Sequence, residues 1–298
     1  MRFLFVDRIL TLDHGMQIIG LKHVTHDDYY LSYDEQGRTC FTTSLVGETL
    51  GQLAAWRVML HHDFRKRPVA GIVAKAILSR PVYIGETIRL EAYIDSLDDV
   101  AVQYHAVAYV DTNEVFRLEG AVGPLLPMDQ FIDPAIARQQ FNEIYRPGQW
   151  LESMACSSAK QIIHSQINDR KPALGAGMLF DHIITHDPCV SCVAEKALTR
   201  AAAYFDDHFP HKPVLPLSIL LECTLNLVRM FIADFPSKYI IHTVRRIKMS
   251  DFVLPGSILI AKLSIKQHTL EMLAVIARIE VEGKRVCTFE IQALSADI

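Results

Sequence analysis

Nowhere does the chain approach the roughly 18 uninterrupted apolar residues of a membrane-spanning helix, so no helical span is expected. Its first apolar run, Phe3-Leu4-Phe5-Val6, ends at Asp7 and is too short for a secretory leader. Positive charge is not in excess: the formal net charge is -4, which argues against nucleic acid as a partner. Cysteine is sparse, with six residues scattered at 40, 156, 189, 192, 223 and 287 over 298 positions. That density excludes a disulfide scaffold and fits reduced thiols in a cytoplasmic protein. Cys189 and Cys192 form a CxxC, but zinc needs a second ligand pair at matching spacing and none is present. Residues 188–193 read as a strand, on which positions three apart face opposite sides. Neither a metal nor a redox role is therefore expected. What the chain does have is length for two domains and hydrophobic residues at 50% of positions, enough for a sizeable core.

The chain repeats itself. Asp7, Ile9, Thr11 and Asp13 recur as Asp181, Ile183, Thr185 and Asp187, at a constant offset of 174. Ser44 and Glu48 recur as Ser218 and Glu222 at that same offset. Ser79 to Gly85 then corresponds to Ser250 to Gly256, three residues closer, a change of the kind loops absorb. Each copy reads as a short strand, a turn region, a long apolar helix (44–62 and 217–233) and three strand-like runs. These runs fall at 69–78, 86–97 and 100–123, and at 239–249, 257–267 and 270–294. They are β-branched and partly alternating, as half-buried antiparallel strands are. Asp111-Thr112-Asn113 and Glu282-Gly283-Lys284 are turn signals within the last run of each copy. One long helix against a meandering sheet gives an α+β layer fold in each copy. The expected division is 1–127, a connector over 128–172 with a short helix at 134–145, and 173–298. A connector this long is natural between two units.

Each helix carries one acid. Ser44, Glu48 and Gln52 share a face, and so do Ser218, Glu222 and Asn226. Their neighbours are apolar nearly all round, which predicts burial. A buried carboxyl must be hydrogen-bonded or protonated. Burial also raises a carboxyl pKa, as a general acid near neutral pH requires. A single buried glutamate serves equally well as a structural hydrogen-bond node. Two in register point to an inherited feature, of which both copies need not be active.

His208 stands in a turn stiffened by Pro210, Pro213 and Pro216. Neutral histidine is a natural base near pH 7. The matching position in the first copy is Asp34. One copy thus offers His208 and Glu222, the other Asp34 and Glu48.

The signature His208-Phe209-Pro210-x-x-Pro213-Val214-x-Pro216, followed by Glu222, closely resembles the β-hydroxyacyl-[acyl carrier protein] dehydratases of the hot-dog fold. Phe3 to Leu10 resembles that family's N-terminal strand, and Glu48 to Ala54 its acid-bearing helix. The resemblance covers two tandem copies and implies a double hot-dog, a pseudo-dimer within one chain, with a higher homo-oligomer possible. It further implies that each site takes its histidine from one unit and its acid from the other. His208 would then act with Glu48, held by Gln52, with Phe209 and Pro216 shaping the turn. Asp34 and Glu222 would form a degenerate second site. The implied chemistry is dehydration of a 3-hydroxyacyl thioester to the trans-2-enoyl thioester without cofactor or metal. The Leu217 backbone N–H would polarise the thioester carbonyl, and the acyl chain would lie in an apolar tunnel between the helices. The family usually has glycine at the position of Leu217, so the added side chain bears on tunnel shape and activity. The partner would be acyl carrier protein or acyl-CoA, with Arg245, Arg246 and Lys248 as candidate contacts to an acidic carrier against the plainer reading of a solvated strand edge. Arg65-Lys66-Arg67 is a weaker candidate of the same kind. A hydratase, a thioesterase or a non-catalytic acyl-chain or carrier-binding protein on the same fold are the alternatives.

Overall fold

The computed structural model describes residues 3–13, 15–148 and 178–296. The expected connector residues 149–172, and the first five residues of the expected second unit, lie outside them.

The first half runs β1 (Arg8–Leu12), β2 (Gln17–His23), β3 (Leu31–Tyr33), β4 (Thr39–Phe41), α1 (Thr43–His61), β5 (Lys66–Pro68), β6 (Ile72–Leu78), β7 (Val82–Tyr83), β8 (Thr87–Leu97), β9 (Ala101–Val110) and β10 (Asn113–Pro127). Then come a short 3-10 turn and α2 (Pro134–Ile144). The second half runs β11 (His182–Asp187), β12 (Ser191–Ala197), α3 (Leu217–Ile232), β13 (Tyr239–Met249), β14 (Ile258–His268), β15 (Met272–Val281) and β16 (Lys284–Ser295).

One continuous sheet carries both halves, in the order β1-β2-β8-β9-β10-β6-β13-β16-β15-β14-β12-β11. Each half therefore has the same strand order. They meet in the middle, where β6 pairs antiparallel with β13 and Ala76 stands opposite Val244. The sheet wraps the two central helices, and the fold is a double hot-dog of the α+β class.

Burial explains why these segments hold. Leu45, Leu50 and Leu53 on α1, and Ile219, Leu225 and Val228 on α3, are fully buried. Each such side chain is worth about 1.5–3 kcal/mol. Leu259, Ala261 and Leu263 on β14 point inward, while Lys262 between them points out and pairs with Glu280 at 2.6 Å. The β15–β16 hairpin turns through Glu282 and Gly283, both at positive φ, which matches strand twist in a two-residue loop.

The structure differs from the sequence reading at several points. A second strand precedes the helix in each half: β2 was not expected, and the strand read at 188–193 is β12, which starts at Ser191 and runs on to Ala197. The last strand-like run splits into two strands at the turns named above. A small separate sheet, β3-β4-β7, forms in the first half. Cys189 lies in the β11–β12 turn at positive φ rather than on the strand, and only Cys192 is on β12, fully buried. The basic residues Arg245, Arg246 and Lys248 stand in the middle of the sheet, not on an edge, because β13 is paired on both sides.

Candidate active site

The turn before α3 fixes His208. The Val214 N–H donates to the His208 carbonyl at 3.0 Å, and Phe209 and Lys212 exchange backbone bonds inside that loop. The prolines cannot donate, so the loop closes through these few groups. The imidazole Nδ1 lies 2.9 Å from the Val214 carbonyl. A carbonyl only accepts, so in the neutral ring Nδ1 carries the hydrogen and Nε2 keeps its lone pair. Phe209 stacks on the ring at 4.1 Å, and Phe3 meets it edge-on at 5.7 Å.

Burial lowers the His208 pKa below the ordinary imidazole value. Glu48, when ionised, and the Val214 carbonyl pull it back up, and the Arg67 cation pushes it down. The net direction is downward, so the ring is neutral at pH 7.

Glu48 lies on α1 of the other half and lines the same cavity as His208. Its Oε1 accepts from Gln52 Nε2 at 3.0 Å, and its Oε2 accepts from the Ser218 hydroxyl at 2.9 Å. Gln52 is itself oriented: Phe5 N–H donates to its Oε1 at 2.9 Å, and its Nε2 reaches the Phe3 carbonyl at 3.2 Å. The Phe3 N–H donates to Asp207, next to His208, at 2.7 Å. The N-terminal segment thus ties both sides of the site together. That link was not read from the sequence, because a backbone contact between residues 204 positions apart leaves no pattern.

The cavity has a volume of about 180 Å³. Leu217, first residue of α3, lines it, and its N–H belongs to the helix turn that lacks intrahelical acceptors. Pro216, the buried N-cap, precedes that helix. The cavity does not run between the helices, as the resemblance implied. It follows α1 beneath β9 and β10, past Gly51, Ala55 and Tyr104, and reaches Ala137 on α2. Gly51, Ala54 and Ala55 are small and leave this space. Their partners on α3 at the offset of 174 are Leu225, Val228 and Arg229. Comparing the two helices position by position would have shown this.

Arg67 was offered as a weak surface contact, but it lines the cavity, with its guanidinium 3.8 Å from the Phe209 ring centre. Its Nε is buried without a hydrogen bond, and burial pushes its pKa down to about 10, so it stays charged at neutral pH.

The equivalent place in the other half looks different. Glu222 is 3% exposed; it accepts the Ser44 N–H at 3.2 Å and pairs with Arg229 at 3.0 Å. Asp34 is held by Arg38 at 2.7 Å and by the Tyr83 hydroxyl at 2.9 Å, and these bonds hold its carboxyl below the usual range despite the opposing effect of burial. Asn226 donates to the Met178 carbonyl at 2.9 Å. Both acids of this pair are engaged in fixed structural bonds. Arg246 and Lys266 share Glu290, at 3.4 and 2.7 Å, while Lys248 stands opposite Ile72 on the cavity rim. Among the described residues no group of side chains is arranged to hold a metal ion.

Residues 178–290 match the family described as FabA-like domain, a span that includes His208 but not Glu48. The 3-hydroxyacyl-[acyl-carrier-protein] dehydratase FabZ of Clostridium botulinum (strain Loch Maree / Type A3) is 30% identical over 118 residues, 39% of this chain and 82% of the relative. The chain belongs to this dehydratase family. The FabZ of Herpetosiphon aurantiacus is 32% identical over 111 residues, covering 37% of this chain and 78% of its own. Each of these two relatives thus matches little more than a third of this doubled chain. Among solved structures, the dehydratase domain of PpsC from Mycobacterium tuberculosis, in complex with C12:1-CoA, aligns with a TM-score of 0.55. It is 10% identical, and the alignment covers 97% of this chain and 98% of that one. The 12:0-ACP thioesterase from Umbellularia californica gives 0.53, at 12% identity and 95% coverage of both chains. At such identities these two speak for the fold, not the reaction.

Proposed function

We propose that the chain dehydrates 3-hydroxyacyl thioesters to trans-2-enoyl thioesters at a single site shared between its halves. The observation that carries this reading is a neutral, oriented histidine and a doubly held glutamate facing one cavity, each from a different half. His208 Nε2 takes the α-proton, and Glu48, protonated in the resting site, gives that proton to the 3-hydroxyl as the C–O bond breaks and water leaves. The Leu217 N–H, at a helix N-terminus, stabilises the negative charge that develops on the thioester oxygen. A proton passing from His208 back to Glu48 restores the site, and no cofactor enters the balance. Asp34 and Glu222 form no second catalytic site. The same reading takes 1–127 and 173–298 as the two units, places the protein in the cytoplasm, and makes an acyl carrier protein or coenzyme A the carrier of the substrate. An acidic carrier would meet Lys248 beside the rim, with Arg245 and Arg246 next to it.

Purified protein given a crotonyl thioester should remove its enoyl absorbance by the reverse hydration. His208→Ala and Glu48→Ala should abolish this, and Asp34→Ala should not. Full activity without His208 would sink the reading, and acyl ligand bound without turnover would favour a binding protein instead.

A further inference from the structure

We infer that α2, the helix without a counterpart among the described residues of the second half, sets the length of acyl chain that the site accepts. This rests on the proposed dehydratase reading and adds the substrate class: thioesters of aliphatic chains long enough to reach α2. The cavity touches α1 from Glu48 to Met59. At 1.5 Å per residue those eleven steps span about 16 Å. Ala55, Val58 and Val102 along this course suit a hydrocarbon chain, and the Tyr104 hydroxyl stands beside Gly51 nearer the acid. At the far end Ile132, Ala137 and Gln140 close it.

That floor is rigid. Asp133 caps α2 by accepting the Ala135 N–H at 2.8 Å, and Pro134 opens the helix at a position where its missing N–H is harmless. Phe141 packs on Phe64 at 5.6 Å and on Trp56 at 6.1 Å. Arg138 pairs with Asp63 at the end of α1. Beyond the helix, Arg146 N–H bonds the Ile9 carbonyl of β1 at 3.1 Å. A helix pinned at both ends cannot swing aside for a longer chain. Ala137 is the small residue at the contact, buried and facing the cavity, so its side-chain volume fixes where the chain must stop.

The test is the ratio of kcat/KM for 3-hydroxydodecanoyl to that for 3-hydroxybutyryl thioester. Ala137→Leu should lower this ratio about tenfold or more, the usual scale for discrimination by pocket size. Gln140→Ala, a half-buried position that tolerates truncation, should raise it. An unchanged ratio in both variants overturns the inference. Calorimetry with non-reactive dodecyl and butyl thioethers of coenzyme A separates this from the parent reading. If the wild type binds the dodecyl analogue and Ala137→Leu weakens it selectively, α2 is the floor even where no turnover is seen. If both proteins prefer neither length, it is not.

Discussion

The two central helices began with one pattern and now do different work. On α1 the acid is followed by Gly51, Ala54 and Ala55, and a cavity lies against them. On α3 the acid is followed by Leu225, Val228 and Arg229; the first two are fully buried, and the third pairs with the acid itself. Even the serines divide the labour. Ser218 gives its hydroxyl to Glu48, whereas Ser44 gives its backbone N–H to Glu222 and leaves its own buried hydroxyl without a hydrogen bond. Dehydration needs a base, a mobile proton and room for a chain, and one half keeps room where the other has filled it. On the proposed reading of one shared site, the Glu222 side of the fold is left to serve stability.

The sharpest way to break this contrast is to make the same substitution in both acids. Glu48→Gln keeps one acceptor oxygen, for Ser218 or for Gln52 but not both in place, and removes the proton donor. Turnover should fall by about 10²–10⁴-fold, the range for losing a general acid. Glu222→Gln keeps the acceptor for Ser44 and loses the pairing with Arg229, whose side chain is 43% exposed. Its cost should be about 1 kcal/mol of stability, with turnover unchanged. Steady-state kinetics and urea melts on both variants decide it, and comparable losses of turnover would show that both acids work.

The packing contrast predicts the next largest effect. Leu225→Ala on α3 opens a fully buried position and should cost about 2–5 kcal/mol of stability, while turnover at the first site persists. The reverse change, Gly51→Leu, puts a large side chain where only Tyr104 Oη stands 3.5 Å from an added Cβ. It should block the cavity, lower kcat/KM for long chains and cost about 1–3 kcal/mol through overpacking. If Gly51→Leu binds acyl ligand as the wild type does, α1 does not line the tunnel.

Much of this was legible because repeated chemistry leaves a constant offset. Asp7 accepts the His23 N–H at 2.6 Å and Asp181 the Ala197 N–H at 2.7 Å, so the acids that mark the repeat do the same job in both halves. Lys22 and Lys196 repeat too, at 3.9 and 3.8 Å from those acids, and went unread because nothing near them suggested a role. The strand β2 was missed for a physical reason. Gly20 interrupts it, and a strand-interior glycine reads as a breaker. In the fold it is required, since an added Cβ would lie 2.8 Å from both the Arg8 carbonyl and Leu53. The cavity's course was illegible because it depends on where α2 docks, which a helix of mixed polar sequence does not announce. Arg67 looked like surface charge because a run of three basic residues usually is.

The smallest effect concerns pH and tests whether the electrostatics are as asymmetric as the packing. On the proposed reading His208 is the base, so kcat/KM should fall as pH drops through its pKa. Burial disfavours the imidazolium more than Glu48 and the Val214 carbonyl favour it, so this acid limb should lie below the ordinary 6.5. Arg67 adds to the depression, because a cation in the same cavity opposes a second positive charge. Arg67→Met removes that opposition, and the limb should move up by roughly a few tenths of a unit at protein-like dielectric. The sign is the decisive part. A move downward would mean that lost hydration around Arg67 outweighs its charge, and an unmoved limb would mean that the titrating base is not His208. An NMR titration of the His208 ring in the two proteins distinguishes these outcomes. The matched change in the other half, Arg229→Met, should leave the limb where it is, since that cation faces Glu222 and not the histidine.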